Sequence, residues 1–268
     1  MAKFGQNDGR MDLQIKDKLF IVGGAGDGFG KAVTRALVGE GAHVLAVSRT
    51  QQKLEILKQE FPEQIDYITG DITSDKVQDI IVGKVGFTGV SGIVVNAGGP
   101  PAGGFQEISM NQWDGAWRTV VRWKISFMKK LIPVLLGNGY GRILCIESVS
   151  VKQPVDNLIL SNALRPAVVG FVKTVAREVA SEGVTINILA PGYHQTAAME
   201  RLFVKKSERE HISVAEAKTQ LEAEIPVGNM GKPEELANMA LWLLSPLSRY
   251  VTGQTFTHDG GIVKGFFG

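Results

Sequence analysis

From residue 18 onward, short apolar runs alternate with longer stretches of helical period. The runs Lys18–Val22, His43–Val47, Gln64–Ile68, Gly92–Asn96, Arg142–Ile146, Val184–Ile188 and Thr255–Thr257 are apolar on mostly consecutive positions. That is the pattern of strands covered on both faces, as in a parallel sheet packed between helices. Helical candidates fill the gaps at 30–41, 50–61, 74–85, 109–136, 161–181 and 233–244. Alternation of this kind predicts βαβ units with right-handed crossovers. The expected fold is α/β: a doubly wound, parallel, seven-stranded sheet with helices on both faces. Residues 1–268 read as a single domain, without internal repeat or low-complexity linker. The segment 197–225 stands apart, being charged, helical in period and inserted before the last helix. Long insertions in compact domains are usually functional, so a helical, lid-like arm over a site is expected there.

Composition narrows the partners. The chain carries 29 basic and 27 acidic residues, a net of +2. So small and even a balance argues against a nucleic acid or an anionic membrane surface as partner. No run approaches the length of a membrane span. The polar start, Met1 to Arg10, lacks the apolar stretch of a signal peptide. The single cysteine, Cys145, lies in an apolar run and reads as a small core residue. A cytoplasmic protein acting on a small molecule is the expectation, with no metal site, because no His/Cys/carboxylate cluster has ligand spacing.

The first strand runs directly into Gly23-Gly-Ala-Gly-Asp-Gly-Phe-Gly30. A strand, a glycine-rich turn and a helix start, first in a βαβ series, is what a dinucleotide's diphosphate requires. The backbone must turn tightly, approach the phosphates and present helix N-terminal amides to them. Gly24, Gly26, Asp27, Gly28, Phe29 and Gly30 are therefore candidate cofactor contacts in a Rossmann-type site. The second strand ends at Ser48-Arg49, where a site for NAD(H) would want a carboxylate on the ribose 2′-hydroxyl. Arg49 can instead pair with a 2′-phosphate, so NADP(H) is expected over NAD(H). Asp27 counts against this, because a second cation would suit that turn better.

Together these residues resemble the short-chain dehydrogenase/reductase family, and its 3-oxoacyl-[acyl-carrier-protein] reductase-like members in particular. The resemblance runs from about Lys18 to Gly261. It implies that Asp71 and Ile72 hold the adenine ring, and that Asn96, Ala97 and Gly98 form the motif after the fourth strand. Pro191, Gly192 and Thr196 match the segment that grips the nicotinamide carboxamide. It also implies a homodimer or homotetramer.

The family's chemistry rests on an asparagine, a serine, a tyrosine and a lysine. The serine falls on Ser148. Registering on Pro166-Ala-Val-Val-Gly170 puts the tyrosine position at Ser161 and the lysine position at Arg165, while the asparagine position falls on Val120. By that register only the serine is kept. An atypical oxidoreductase follows, with Ser148 binding the substrate oxygen and Arg165 the ribose. Tyr193 or His194 is a candidate replacement proton donor. Ser161 has the alternative role of capping the following helix, with Pro166 in its first turn. Glu147, Lys152 and Gln153 flank Ser148 and could reach a polar substrate or face solvent. A non-redox, regulatory or structural relative is the competing reading.

Overall fold

The computed structural model describes residues 11–86 and 89–266. From the first strand, β1 (Leu19–Gly23), the chain steps to one side through β2 (His43–Ser48) and β3 (Ile65–Thr69). It then returns past β1 to β4 (Val90–Val95), β5 (Gly141–Ile146), β6 (Val184–Pro191) and β7 (Thr255–His258). Among the described residues these seven strands form one sheet, ordered β3-β2-β1-β4-β5-β6-β7, and every neighbouring pair is parallel. The order reverses between β1 and β4, and ligands of open α/β sheets bind at the carboxyl edge of such a switch point.

Strand alternation sorts the core into two layers. Ile21 faces one side, with Ile93, Ile143 and Ile186. Phe20 and Val22 face the other, with Val44 and Leu144. The first layer is covered by α3 (Asp75–Val85), α5 (Trp123–Gly137) and α6 (Ile159–Val179), and the second by α1 (Gly28–Gly39), α2 (Gln51–Glu60) and α9 (Pro233–Leu244). Both faces are covered, as the apolar runs require.

The helix expected over 109–136 starts where its cap signal lies. Ser109 and Gln112 form a capping box at the head of α4 (Met110–Ala116). Before α5, however, the chain passes through a π-helical stretch, Trp117–Arg122, a local widening that often marks functional sites. Helix α6 departs from expectation in a second way. It begins at Ile159 after Leu158, so Ser161 lies inside the helix and is not its cap. Pro166 likewise sits in the helix interior, where it removes the amide that would bond the carbonyl of Asn162. Asn162 is secured instead by its side chain, which accepts from the Val155 amide at 3.0 Å and donates to the Val155 carbonyl at 2.8 Å. The segment Ile159–Glu182 is long and apolar enough to pass for a membrane span, yet Val168, Val172, Ala176 and Val179 belong to the first core layer.

Candidate cofactor and active site

The glycine turn is built as the sequence demands. Gly24 and Gly28 hold φ values of +64° and +47°, a region open mainly to glycine. A Cβ on Gly30 would lie 2.2 Å from the Gly24 carbonyl oxygen, and one on Gly24 would lie 2.7 Å from Asn96 Nδ2. The turn is held by Asn96, whose Nδ2 donates to the Gly23 carbonyl at 3.1 Å, and by the Ala25 amide, which bonds the Val47 carbonyl at 3.1 Å. Bare backbone at the N-terminus of α1 fits a dinucleotide's diphosphate. Ile72 packs on Gly23, and Asp71 accepts from the Thr73 amide and hydroxyl, beside the turn where the adenine ring was expected.

Asp27 is the N-cap of α1 and accepts from the Gly28 amide at 2.8 Å. Its other oxygen pairs with Lys53, in the first turn of α2. The hydrogen bond from Lys53 is the main reason that its carboxyl lies below the usual range. Ser48 ends β2, and exposed Arg49, Thr50, Gln51 and Gln52, with half-buried Glu55, line an open cavity of about 510 Å³.

At the opposite end of the turn, Ala97, Gly98, Thr119, Val120, Trp123, Lys124, Ile146 and Arg165 line a small recess. Its floor is charged. The Glu147 side chain is 0% exposed, which corrects the solvent-facing alternative. One of its oxygens pairs with buried Lys124 and the other accepts from Arg165 Nη1 at 2.7 Å. Arg165 Nε in turn reaches Ser161 Oγ at 3.5 Å, one helical turn away, and its Nη2 faces Gly99. Four side chains thus run in series: Lys124, Glu147, Arg165, Ser161. Ser148 heads a short helical turn and accepts from the Ser150 amide at 3.2 Å, so its hydroxyl hydrogen remains available to another acceptor. Cys145, next along β5, is buried, and burial pushes its thiol up to about 12.

After β6 ends at Pro191, the Gly192 amide bonds the His258 carbonyl at 3.0 Å. Thr196 caps α7 (Ala197–Glu210), and its methyl group approaches Gly28, bringing this segment over the glycine turn. The His194 ring is buried. Its Nδ1 donates to the Gly192 carbonyl at 3.1 Å, which leaves Nε2 to accept from His258 Nδ1 at 2.9 Å. Burial is the main cause of its lowered pKa. The Tyr193 hydroxyl turns away toward the insertion and donates to Glu224 at 3.3 Å. Burial first, and the Glu224 charge second, push its phenol up to about 12. The insertion forms α7 and α8 (Val214–Ala223). It packs around Met199, Phe203, Ile225 and Met230 and reaches the loop after β4 through Lys205, which donates to the Ala102 carbonyl at 3.4 Å.

The C-terminal tail laces both halves of the site. Asp259 accepts from the Gly261 and Val263 amides and leaves no room for a Cβ on Gly192. Gln153, in the Ser148 loop, donates to the Ile262 carbonyl and accepts from the Lys264 amide. Among the described residues no group of three His, Cys, Asp or Glu is arranged to hold a metal.

Residues 24–263 match the family described as enoyl-(acyl carrier protein) reductase, a branch of the short-chain dehydrogenases. The chain belongs to the short-chain dehydrogenase/reductase family. It is 28% identical over 256 residues to the 3-oxoacyl-[acyl-carrier-protein] reductase FabG of Thermotoga maritima, covering 94% of this chain and 100% of that protein. It is 27% identical to dehydrogenase/reductase SDR family member 4 of Oryctolagus cuniculus, over 92% of this chain and 94% of that protein. Among solved structures it is similar to the L-sorbose reductase of Gluconobacter frateurii complexed with NADPH and L-sorbose. There the TM-score is 0.88 and the identity 26%, covering 96% of this chain and 100% of the other. Membership makes the protein an oxidoreductase of the short-chain type.

Two residues of this short-chain dehydrogenase site were missed by the sequence reading. Lys124 had a visible signal: it falls on the apolar stripe Val120, Val121, Phe127, Met128 and Leu131, where a charge implies a buried partner. Lys53 had none, because its contact with Asp27 joins residues from different βα units.

Proposed function

We propose that this protein is an NADP(H)-dependent oxidoreductase that interconverts a carbonyl and an alcohol with an atypical set of catalytic residues. The observation that carries the reading is the pairing of a bare-backbone glycine turn with Arg49 at the end of β2, where no carboxylate stands to repel a 2′-phosphate. The NADPH complex of the sorbose reductase supports the same cofactor. When bound, a nicotinamide dinucleotide supplies or accepts a hydride. The amides of Phe29 and Gly30 would hold its diphosphate, Asp71 and Ile72 its adenine, and Pro191, Gly192 and Thr196 its nicotinamide end.

The chain's own residues then bind and orient. Ser148 donates its free hydroxyl hydrogen to the substrate oxygen. Arg165, anchored by Glu147, holds ribose hydroxyls through Nη2. A guanidinium is a fixed donor and relays no proton, and both ring nitrogens of His194 are engaged, by the Gly192 carbonyl and by His258, so the proton that completes an alcohol comes from water or from the substrate itself. Tyr193 is committed to Glu224 and is a weaker acid than free phenol. Accordingly, Tyr193→Phe should leave steady-state turnover within about twofold. A general acid is worth ~10²–10⁴-fold, so a drop of a hundredfold would reinstate the phenol as donor.

Calorimetric titration tests the cofactor reading. NADPH should bind more tightly than NADH, and Arg49→Ala should weaken NADPH by about 10- to 100-fold while leaving NADH unchanged, the range of one charge-assisted bond. Equal affinity for the two dinucleotides in the wild type would refute it. Loss of the nicotinamide absorbance with ketones and acyl thioesters then tests catalysis. NADPH binding without turnover across such a panel would turn the balance toward a non-redox role.

A further inference from the structure

The geometry points to Lys53 as a second cation for the 2′-phosphate, held ready by Asp27. This assignment rests on the NADP(H) reading above and resolves its main objection, the acidic residue in the glycine turn.

Three observations converge on the space between the glycine turn and the end of β2. A Cβ on Gly26 would lie 2.7 Å from Ser48 Oγ and 3.3 Å from Lys53 Cβ, so the turn lies against both Ser48 and the stem of Lys53. The Lys53 ammonium is drawn toward the turn by Asp27, whose other oxygen caps α1 at Gly28. Arg49 flanks Ser48 and lines the open cavity that continues outward along α2. At the head of α2, Thr50 makes no side-chain cap bond and the first turn holds no acid, so neither a capping side chain nor a first-turn carboxylate competes there with an incoming anion. The carboxylate that lines this cavity, Glu55, accepts from Gln51 Nε2 at 2.7 Å.

Charge decides the role. A phosphate monoester carries about −1.5 to −2 charges at neutral pH, which one guanidinium only partly offsets. Asp27 alone would add repulsion. Lys53 changes that balance twice, by neutralising Asp27 and by offering the phosphate further donors. An ammonium on a flexible stem can serve the carboxylate and the phosphate in turn, or bridge them. The Asp27–Lys53 pair is half exposed on both sides, where an ion pair contributes little to folding. Its removal should therefore read out in ligand affinity and not in stability.

The test uses the full-length protein and two fragments of the cofactor, 2′,5′-ADP and 5′-AMP, titrated by calorimetry at low salt. Lys53→Ala should weaken 2′,5′-ADP by about 10- to 100-fold and change 5′-AMP less than about twofold. The double variant Asp27→Asn/Lys53→Ala separates direct contact from mere neutralisation. Affinity for 2′,5′-ADP should stay well below wild type if Lys53 touches the phosphate, and full recovery would overturn the assignment. An unchanged affinity in Lys53→Ala, alongside a loss in Arg49→Ala, would also overturn it while leaving the NADP(H) reading intact. Loss of preference for the 2′-phosphate in the wild type itself would instead remove that reading.

Discussion

Glu147→Gln should destabilise the protein by about 3–5 kcal/mol, the usual effect of removing one partner of a buried ion pair. The carboxylate is wholly enclosed, and Lys124 and Arg165 are only 5% and 11% exposed at their side chains. Two cations meet one anion there, so losing the anion leaves both uncompensated in a low-dielectric setting. An amide can accept one bond, but it carries no charge. At roughly 2–4 °C per kcal/mol for a domain near this size, the unfolding midpoint should fall by roughly 6–20 °C. The pair Glu147→Gln/Lys124→Met should be less damaging than Glu147→Gln alone, because one stranded cation leaves with the anion. A Glu147→Gln protein within 1 kcal/mol of wild type by urea unfolding would show that the carboxylate does not balance its neighbours.

The second large effect is expected at Gly30. Its Cβ would meet Gly24 main-chain atoms at 2.2 and 2.5 Å and the Gly23 carbonyl at 2.8 Å. These are backbone atoms with no rotamer to change, so Gly30→Ala must pry the turn away from α1. Overpacking of this kind costs about 1–3 kcal/mol. The larger loss falls on binding, because the displaced amides are those that would meet the diphosphate, and NADPH affinity should drop at least about a hundredfold. Gly39→Ala provides the contrast. That glycine closes the same helix with nothing within 4 Å of its would-be Cβ. The change should be neutral or stabilising by up to about 1 kcal/mol and should leave NADPH binding unaltered. Equal affinities in the two variants would mean that the turn does not hold the phosphates.

The contrast between Gly30 and Glu147 also marks what a sequence can disclose. The succession of strands and helices, the sheet covered on both faces and the glycine turn were legible because each depends on local pattern: consecutive apolar residues, helical period, and glycine where a side chain would block. Asn96 could be placed for the same reason, at the end of an apolar run. The charged floor was only half legible: a lysine on the apolar stripe of α5 announces a buried partner, but only tertiary packing makes that partner Glu147, which follows β5. Ser161 looked like a cap because a serine at the edge of a helical pattern often is one. The helix in fact starts two residues earlier, at Ile159, and this places the hydroxyl within reach of Arg165. The π-helical stretch beside the recess left no mark in the apolar pattern, since it merely widens a helix that continues on either side.

The lacing of the segment after β7 divides the site into two separately propped ends. Asp259 stands against Gly192, and Gln153 holds the Ser148 loop to Ile262 and Lys264, whereas the phosphate-holding turn is braced by Asn96 and Val47. A disturbance of residues 259–264 is therefore felt first where hydride would move and last where the phosphates would sit.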